Sequence, residues 1–524
     1  MARTAVKRQI QPGDLVLVTG AVGGVGRHVV QALVDAGCEV RAVDLKKPDA
    51  MVAELVDLEG VEWIQGDLVK MKLAPLVEGC KAVVHLAAMV GISETYDELV
   101  VTNVDLVESL YEACEAAGVV HFVHFSTGQI YEPARGLRDE DAKIFPGNPY
   151  EETKIEGERV FPTRAVSTHW TVLRPALVYG PHCVSMSAGL VTFPPILRNF
   201  MPLLPGFTGG ARTNWCHVAD LAAATMAVLG NPRSYEQIFN VGDDTPLGNG
   251  EVITAISEAY GLPIGPLVPF PNGAILVAFS PVVDREYVER TLRQVLRQIW
   301  KRICTRYQLD SPLRPKLDRN AVFYVAEDTV VDAGKLKALG WAPEFPSLRD
   351  GIGETVKWYQ DHGWVPRYDT ETEAIVREQG SFGFSVSQRL EGHWHSPADD
   401  QTRPLHLSVD LEFRNVLTGD FSGHLEGMAW FDGLATDVAI EGTVQVKVLS
   451  ARSICYEFGF EDAEHGGHRC KLEATFNALR PFSSMSMLKG RLINRHGDLV
   501  GNVELSLGFA DQVIPLLMSF RPLS

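Results

Sequence analysis

A tyrosine and a lysine four residues apart are the first side chains in this sequence that could do chemistry. Tyr150 and Lys154 share one face if the segment Tyr150–Val160 is helical, as its sequence predicts. A lysine ammonium beside a phenol stabilises the phenolate, so we expect it to lower the pKa of Tyr150. Such a tyrosine can take a proton from a substrate hydroxyl and return it to a carbonyl oxygen. On its own, the pair could equally be a surface contact.

A glycine-rich loop near the N-terminus has the spacing of a dinucleotide-binding turn. It follows the predicted strand Leu15–Thr19 and leads into the predicted helix Val25–Ala36. Gly20 would permit the tight turn, and Gly23 would let the backbone approach a pyrophosphate. Gly26 would let the helix pack closely on the strand. The helix N-terminus then faces the anion, which is the arrangement that binds phosphate.

An acidic residue at the end of the second predicted strand favours NAD over NADP. Asp44 follows Gly26 by eighteen positions. A carboxylate there can accept hydrogen bonds from both ribose hydroxyls and would repel a 2′-phosphate. A nearby cation, Lys46 or Lys47, could still let the site accept that phosphate and therefore NADP. The positive nicotinamide ring of NAD⁺ would lower the pKa of Tyr150 further.

These features and several others resemble the extended short-chain dehydrogenase/reductase superfamily. The matching motifs fall in the family's order and at its spacings: Thr19-Gly-x-x-Gly-x-x-Gly26, Gly66-Asp67-Leu68, His85-Leu-Ala-Ala88, Thr102-Asn-Val104, Phe125-Ser-Thr127, Tyr150-x-x-x-Lys154 and Leu173-Arg-Pro175. The resemblance covers roughly residues 13–366. It implies an NAD-dependent oxidoreductase that interconverts a secondary alcohol and a ketone.

The resemblance also assigns roles to individual residues. Thr127 matches the catalytic serine or threonine that hydrogen-bonds the substrate oxygen, with Ser126 as the adjacent alternative, and Asn103 is structural. Lys154 would reach the nicotinamide ribose. The implied catalytic set is Thr127, Tyr150 and Lys154. The implied cofactor set is Gly20, Gly23, Gly24, Val25, Gly26, Asp44, Asp67, Leu68, Ala87, Ala88, Tyr150 and Lys154, with Asp67 at the adenine and no metal site.

The pattern of apolar residues predicts two kinds of fold along the chain. Short apolar runs alternate with amphipathic stretches in the first third, which is typical of a doubly wound α/β Rossmann-type parallel sheet. We expect a dehydrogenase domain over 1–366, with an NAD-binding core at about 11–180 and a small substrate lobe and lid at about 181–366. A linker (367–380) would lead to an all-β accessory domain (381–524), a sandwich or a barrel, because alternation there has period two.

The substrate divides the family into two branches. The segments Arg138–Asp141 and Asn148–Tyr150 resemble sugar-nucleotide epimerases and dehydratases. The apolar run Gly273–Val283 and the basic amphipathic helix predicted over Asp284–Tyr307 resemble the lipophilic segment of 3β-hydroxysteroid dehydrogenase-like enzymes. A sterol-like or long-chain substrate is therefore the first expectation and a sugar nucleotide the second. A non-catalytic nucleotide-binding regulatory protein is the third.

Composition and charge exclude some partners. The net charge of −18 repels a phosphate backbone, so no nucleic-acid partner is expected. The eight cysteines form no Cys-x-x-Cys pair, and no signal peptide or spanning segment is evident. The chain is expected in the cytoplasm, with peripheral membrane contact through 273–307 as an open alternative to ordinary helix packing. A homodimer is also an expectation.

Overall fold

The computed structural model describes residues 10–46, 58–91, 94–132, 136–161, 167–184, 186–198, 204–270, 286–315, 327–369, 383–414, 420–447, 453–462, 466–475, 487–506 and 521–523. The chain divides into two compact units. The first comprises residues 1–192, 205–272 and 310–365, and the second comprises 193–204, 273–309 and 366–524. Each unit has its own apolar core.

The elements before residue 366 alternate between strand and helix. The strands are β1 (Leu15–Thr19), β2 (Glu39–Asp44), β3 (Val61–Gln65), β4 (Ala82–His85), β5 (His121–Phe125), β6 (His169–Pro175), β7 (Leu177–Tyr179), β8 (Leu204–Thr208), β9 (Arg212–Thr213), β10 (Trp215–His217), β11 (Gln237–Val241), β12 (Leu247–Gly248) and β13 (Ile264–Pro269). The helices are α1 (Gly26–Asp35), α2 (Ala74–Val77), α3 (Tyr96–Val100), α4 (Leu106–Ala117), α5 (Pro149–Arg159), α6 (Met186–Leu190), α7 (Phe193–Arg198), α8 (Val218–Val228), α9 (Asn249–Ala259), α10 (Glu286–Arg306), α11 (Gly334–Lys337) and α12 (Leu348–Asp361).

A seven-stranded parallel sheet forms the centre of the first unit. Its strand order is β11-β6-β5-β4-β1-β2-β3, which contains the doubly wound order of dinucleotide-binding folds. Both faces are covered, because Val16 and Val18 lie in one core cluster while Leu17 lies in another. Strands buried on two faces read as continuous apolar runs. The predicted α/β fold is confirmed, and the predicted strand Leu15–Thr19 is observed with the same bounds.

A closed antiparallel barrel forms most of the second unit. Its strands are β14 (Gly383–Ser396), β15 (Gln401–Arg414), β16 (Asp420–Phe431), β17 (Ala435–Lys447), β18 (Ser453–Asp462), β19 (Gly466–Thr475), β20 (Met487–Asn494) and β21 (Leu499–Ser506), and β22 (Arg521–Leu523) extends one edge. Each strand pairs with the next, and β21 returns to pair with β14. Alternate residues point inward and form one apolar core. The predicted all-β domain is confirmed, and it is a barrel.

Glycines allow the barrel wall to bend. A Cβ at Gly427 would collide with the carbonyl oxygen of Ser408 on the adjacent strand, and a Cβ at Gly490 would collide with that of Lys471. Glycine kinks of this kind let a sheet curve enough to close. Gly497, with φ of 89°, forms the predicted turn between β20 and β21.

The basic amphipathic helix belongs to the second unit. This helix is α10, and it contacts α7 of the same unit. Ile299, Trp300 and Ile303 on its apolar face are buried, as expected for ordinary core packing. The side chains of Val288 and Leu292 and the run Gly273–Val283 lie outside the described residues. The sequence placed this segment in the substrate lobe of the dehydrogenase domain, whereas the structure groups it with the barrel strands.

Candidate active site

The glycine loop is closed so tightly that side chains at its glycines would not fit. Gly20 has a φ of 68°, which favours glycine, and a Cβ there would lie 2.9 Å from the backbone nitrogen of Ala87. A Cβ at Gly23 would lie 3.0 Å from the carbonyl oxygen of Gly20, and one at Gly26 would collide with that oxygen. The turn therefore brings backbone N–H groups and the start of α1 to one place. The geometry fits a bound pyrophosphate.

Asp44 lies beside this loop at the end of β2. Its Oδ2 accepts a hydrogen bond of 3.0 Å from the backbone N–H of Val22, and its Oδ1 accepts one of 3.0 Å from that of Lys46. Each oxygen keeps a lone pair for a further donor. The predicted role at the adenosine ribose therefore fits the geometry. Lys47 lies outside the described residues.

The other predicted cofactor residues lie along the carboxyl edge of the same sheet. Asp67 follows β3 and forms a salt bridge of 2.9 Å with Lys70. Leu68 beside it is buried. Ala87 follows β4, and its N–H donates to Oγ1 of Thr19 at 3.2 Å. Gly24 packs close to Cys183, since a Cβ there would lie 3.1 Å from the Cys183 Cα.

Helix α5 positions the tyrosine and the lysine. Asn148 caps the helix by accepting a 3.0 Å hydrogen bond from the N–H of Glu151, and Pro149 occupies the first turn, where its missing N–H costs nothing. The helix begins here, so Tyr150 lies in its first turn and Lys154 one turn later. Lys154 is only 3% exposed and Tyr150 is partly buried. The surface-contact interpretation of the pair is therefore wrong.

The asparagine of the family motif ties α5 to the cofactor side of the unit. Asn103 lies in a π-helical turn, Val101–Asp105, between α3 and α4. Its amide donates to the carbonyl of Met89 at 3.0 Å and to Oγ1 of Thr153 at 3.2 Å, and its oxygen accepts from the N–H of Met89 at 2.9 Å. Thr153 precedes Lys154 on α5, and Met89 lies two residues after Ala87, whose backbone packs against Gly20. The predicted structural role of Asn103 fits these contacts.

The electrostatics of the pair differ from the sequence-based expectation. Burial raises the pKa of Tyr150 to about 12, and the negative charge of Glu151 adds to the rise. Burial also lowers the pKa of Lys154 to about 8, although Glu158 opposes that change. The predicted lowering of the tyrosine pKa by the neighbouring ammonium is therefore wrong for the groups of the protein alone. Desolvation disfavours the charged phenolate, so the shift follows from burial and from the charge of Glu151.

Two buried histidines lie within the electrostatic reach of Lys154. His85 ends β4 and contacts Oγ1 of Thr19 through its Nδ1 at 2.7 Å, and His124 stacks on it at 5.8 Å. Burial, followed by the charge of Lys154, lowers the pKa of His85 to about 3 and that of His124 well below its ordinary value. Both rings are therefore neutral, and Lys154 is the cation of this cluster.

Thr127 lies in the loop after β5, at the edge of the sheet where α5 begins. Its Oγ1 accepts a hydrogen bond of 3.2 Å from the N–H of Gln129. Thr127 is 7% exposed and Ser126 is 5% exposed. The hydroxyl of Ser126 has no partner among the described residues, and neither has the carboxamide of Gln129. Motif comparison did not single out Gln129, because only the tertiary structure shows that it is buried.

A buried ion pair, absent from the predicted site, holds α5 against β6. Arg174 donates to both oxygens of Glu158, with distances of 2.9 and 2.5 Å, and its Nη1 donates to the hydroxyl of Tyr131 at 2.9 Å. That hydroxyl donates in turn to Oδ1 of Asn240 at 2.7 Å. Glu158 lies one turn after Lys154. The network therefore fixes the helix that carries Tyr150 and Lys154.

A buried arginine, which the sequence did not single out either, supports the glycine loop. Arg27 in the first turn of α1 donates to the carbonyls of Val22, at 2.7 Å, and Gly23, at 3.4 Å. It also contacts Nδ1 of His182 at 2.5 Å. The guanidinium therefore holds two carbonyl groups of the loop in place.

Comparison with known proteins agrees with this geometry. The model of the NAD dependent epimerase/dehydratase family matches residues 16–242. A dTDP-glucose 4,6-dehydratase of Streptomyces niveus is 28% identical over 377 residues, which cover 67% of this chain and 95% of that protein. The mouse dTDP-D-glucose 4,6-dehydratase is 26% identical over 390 residues, covering 69% and 95%. The solved structure of a double mutant of DesIV, a dTDP-glucose 4,6-dehydratase of Streptomyces venezuelae, shares the fold with a TM-score of 0.50 at 22% identity, covering 67% of this chain and 98% of that one.

The fold and the site therefore define a dinucleotide-binding domain with a tyrosine–lysine pair at the edge of its sheet. The family match over residues 16–242 supports the extended short-chain dehydrogenase/reductase superfamily that the motifs predict for the first unit. The predicted class of NAD-dependent enzyme is confirmed at this level. The similar proteins named here act on sugar nucleotides, and the comparisons give no support to the expected sterol-like substrate.

Proposed function

We propose that this protein is an NAD-dependent enzyme of the epimerase and dehydratase kind that acts on a sugar nucleotide. The central observation is the buried Lys154 beside Tyr150, on a helix that Asn103 ties to the cofactor side of the sheet. The similar dTDP-glucose dehydratases, which align over two thirds of this chain, support the substrate class. A sugar nucleotide, which was the second expectation from the sequence, thus becomes the first.

The roles of the side chains follow from their positions and charges. NAD⁺, held by the glycine loop and Asp44, would accept a hydride from a carbinol carbon of the sugar and return it. Tyr150 takes the hydroxyl proton of that carbinol, and Thr127 hydrogen-bonds the same oxygen. With a pKa of about 12, Tyr150 is a phenol at neutral pH. Tyr150 can therefore act as a base only when additional positive charge next to it stabilises its phenolate form.

Lys154 supplies part of that charge. Its pKa of about 8 leaves it largely protonated at neutral pH. Since both neighbouring histidines are neutral, Lys154 is the positive charge of this cluster, one helical turn after Tyr150. The lysine then orients the cofactor and stabilises the phenolate as the proton leaves the substrate.

The predictions about membrane and partner remain open to test. Within the described ranges no helix is long and apolar enough to cross a membrane. Peripheral contact through 273–307 and a homodimer stay predictions. Flotation of the full chain with anionic vesicles and sedimentation would check them. The third expectation is a regulatory protein without turnover, and the intact Tyr150–Lys154 pair argues against it.

Turnover of sugar nucleotides by the full chain tests the proposal. UDP-glucose and dTDP-glucose, each with NAD⁺, are incubated with the protein, and the products are identified by mass spectrometry and NMR. Tyr150→Phe should bind both ligands but lose turnover by a factor of about 10² to 10⁴, the usual contribution of a general acid–base group. Tyr235→Phe is a matched control, since the buried hydroxyl of Tyr235 has no partner within the described ranges. Full activity of Tyr150→Phe would contradict the proposed role.

A further inference from the structure

The loop that carries Thr127 also carries two buried polar groups that the catalytic set leaves without a role. The Gln129 side chain is 9% exposed, and neither its oxygen nor its nitrogen has a hydrogen-bond partner in the described part of the chain. The hydroxyl of Ser126, 5% exposed, has none either. Nearly all buried polar groups in folded proteins are paired, so two unpaired groups beside Thr127 point to a partner other than the described residues, such as a bound ligand.

Backbone hydrogen bonds fix the loop that carries these groups against β6. The N–H of Ser126 donates to the carbonyl of Leu173 at 2.8 Å, and the N–H of Gly128 donates to that of Pro175 at 2.7 Å. A Cβ at Gly128 would lie 3.1 Å from the Pro175 oxygen, so the loop lies close against β6. It leaves the sheet at its carboxyl edge, where doubly wound folds bind their ligands.

We propose that the Gln129 carboxamide and the Ser126 hydroxyl are specificity-determining groups that hydrogen-bond ring hydroxyls of the sugar. This inference rests on the proposed function. A carboxamide offers both donors and an acceptor, and a hydroxyl offers both as well. A hexose presents hydroxyls on neighbouring carbons, each able to donate and accept. Thr127, which lies between the two orphans, holds the oxygen of the carbinol that is oxidised.

The chemistry of Gln129 also restricts the reaction class. Loss of water from a keto sugar requires a base that removes the proton next to the carbonyl. It also requires an acid that protonates the departing hydroxyl. A carboxamide does neither at neutral pH, and the segment Ser126–Tyr131 contains no aspartate, glutamate or histidine. The proposal therefore assigns this loop to reactions that leave the ring hydroxyls in place, namely epimerisation or oxidation of the carbinol.

Binding measurements on the full chain separate a ligand contact from a structural role. Titration calorimetry with UDP-glucose, dTDP-glucose and NAD⁺ is compared for wild type, Gln129→Leu and Ser126→Ala. Each substitution should weaken sugar-nucleotide binding about tenfold, equal to about 1.4 kcal/mol, the size of a net hydrogen bond. The dissociation constant for NAD⁺ should not change.

Thr168→Val is the matched control for loss of a buried orphan hydroxyl. Thr168 is fully buried, its Oγ1 has no partner among the residues that the structure describes, and it precedes β6 at the opposite edge of the sheet. This variant should leave both affinities unchanged. Thermal unfolding of all variants shows whether they are folded, and Ser126→Ala serves as the independent test if Gln129→Leu unfolds.

The reaction class is read from the product formed in deuterated water. Epimerisation or oxidation of the carbinol introduces no solvent deuterium at carbon and causes no loss of 18 mass units relative to the control. Dehydration does both. A dehydrated product would overturn the assigned reaction class. Unchanged sugar-nucleotide affinity in both variants, with an active wild type, would overturn the contact alone. A wild type that neither binds nor converts either sugar nucleotide would overturn the proposed function and this inference together.

Discussion

The ion pair between Glu158 and Arg174 gives the sharpest prediction about how the fold supports the site. Replacing Arg174 with methionine leaves the Glu158 carboxylate buried without its partner. The two side chains are 6% and 2% exposed, so solvent screens neither charge. The same change removes the donor to the Tyr131 hydroxyl. The variant should therefore be destabilised much more strongly than a surface substitution.

The expected magnitude follows from this burial. Removing one partner of a buried pair costs about 3 to 5 kcal/mol of unfolding free energy, because the remaining charge stays desolvated. Replacing both, as in Glu158→Leu/Arg174→Met, should recover most of that loss, since no charge is left in the core. Arg349→Met is the control, because Arg349 and Glu258 form a 2.5 Å pair with side chains 44% and 49% exposed. That exposed pair should contribute at most about 1 kcal/mol.

Hydrogen exchange is the suitable assay, because two units in one chain do not unfold as a single transition. Peptides from α5 and β6 report the opening free energy of this region alone. The double variant should also lower the pKa of Lys154 below about 8, since Glu158 is the group that raises it. A cost under about 1 kcal/mol for Arg174→Met would refute the reasoning. So would a double variant as unstable as the single one.

Three further predictions concern the cofactor and the lysine. Gly26→Ala should weaken NAD⁺ binding by roughly 10²-fold or more, because its Cβ collides with the Gly20 carbonyl; Gly353→Ala, where a Cβ meets open space, should be neutral or slightly stabilising in calorimetry. Asp44→Ser should reduce the preference for NAD over NADP at least about tenfold by direct titration, and an unchanged ratio would remove the role of this carboxylate. The kcat/KM of the wild type should fall as pH rises through about 8, because Lys154 then loses its proton. A flat profile between about pH 7 and 9.5, or the same decline in Lys154→Arg, would contradict that assignment.

Local patterns in the sequence were sufficient for the elements that hold the cofactor and the catalytic pair. The spacing of Gly20, Gly23 and Gly26 depends on one turn of backbone, and the spacing of Tyr150 and Lys154 depends on one turn of helix. Both are properties of neighbouring residues, so they can be recognised without the fold. The alternating and continuous apolar runs likewise reflect how many faces of a strand are buried.

The tertiary structure decided what depends on residues far apart in the chain. Whether the β domain is a sandwich or a barrel turns on the pairing of β14 with β21, which lie about a hundred residues apart along the sequence. The pKa of Tyr150 depends on burial by the whole unit, and that burial reversed the expected direction. The orphaned Gln129 has the same origin: a sequence shows that an amide is present, but only the packing around it shows that no partner has been provided.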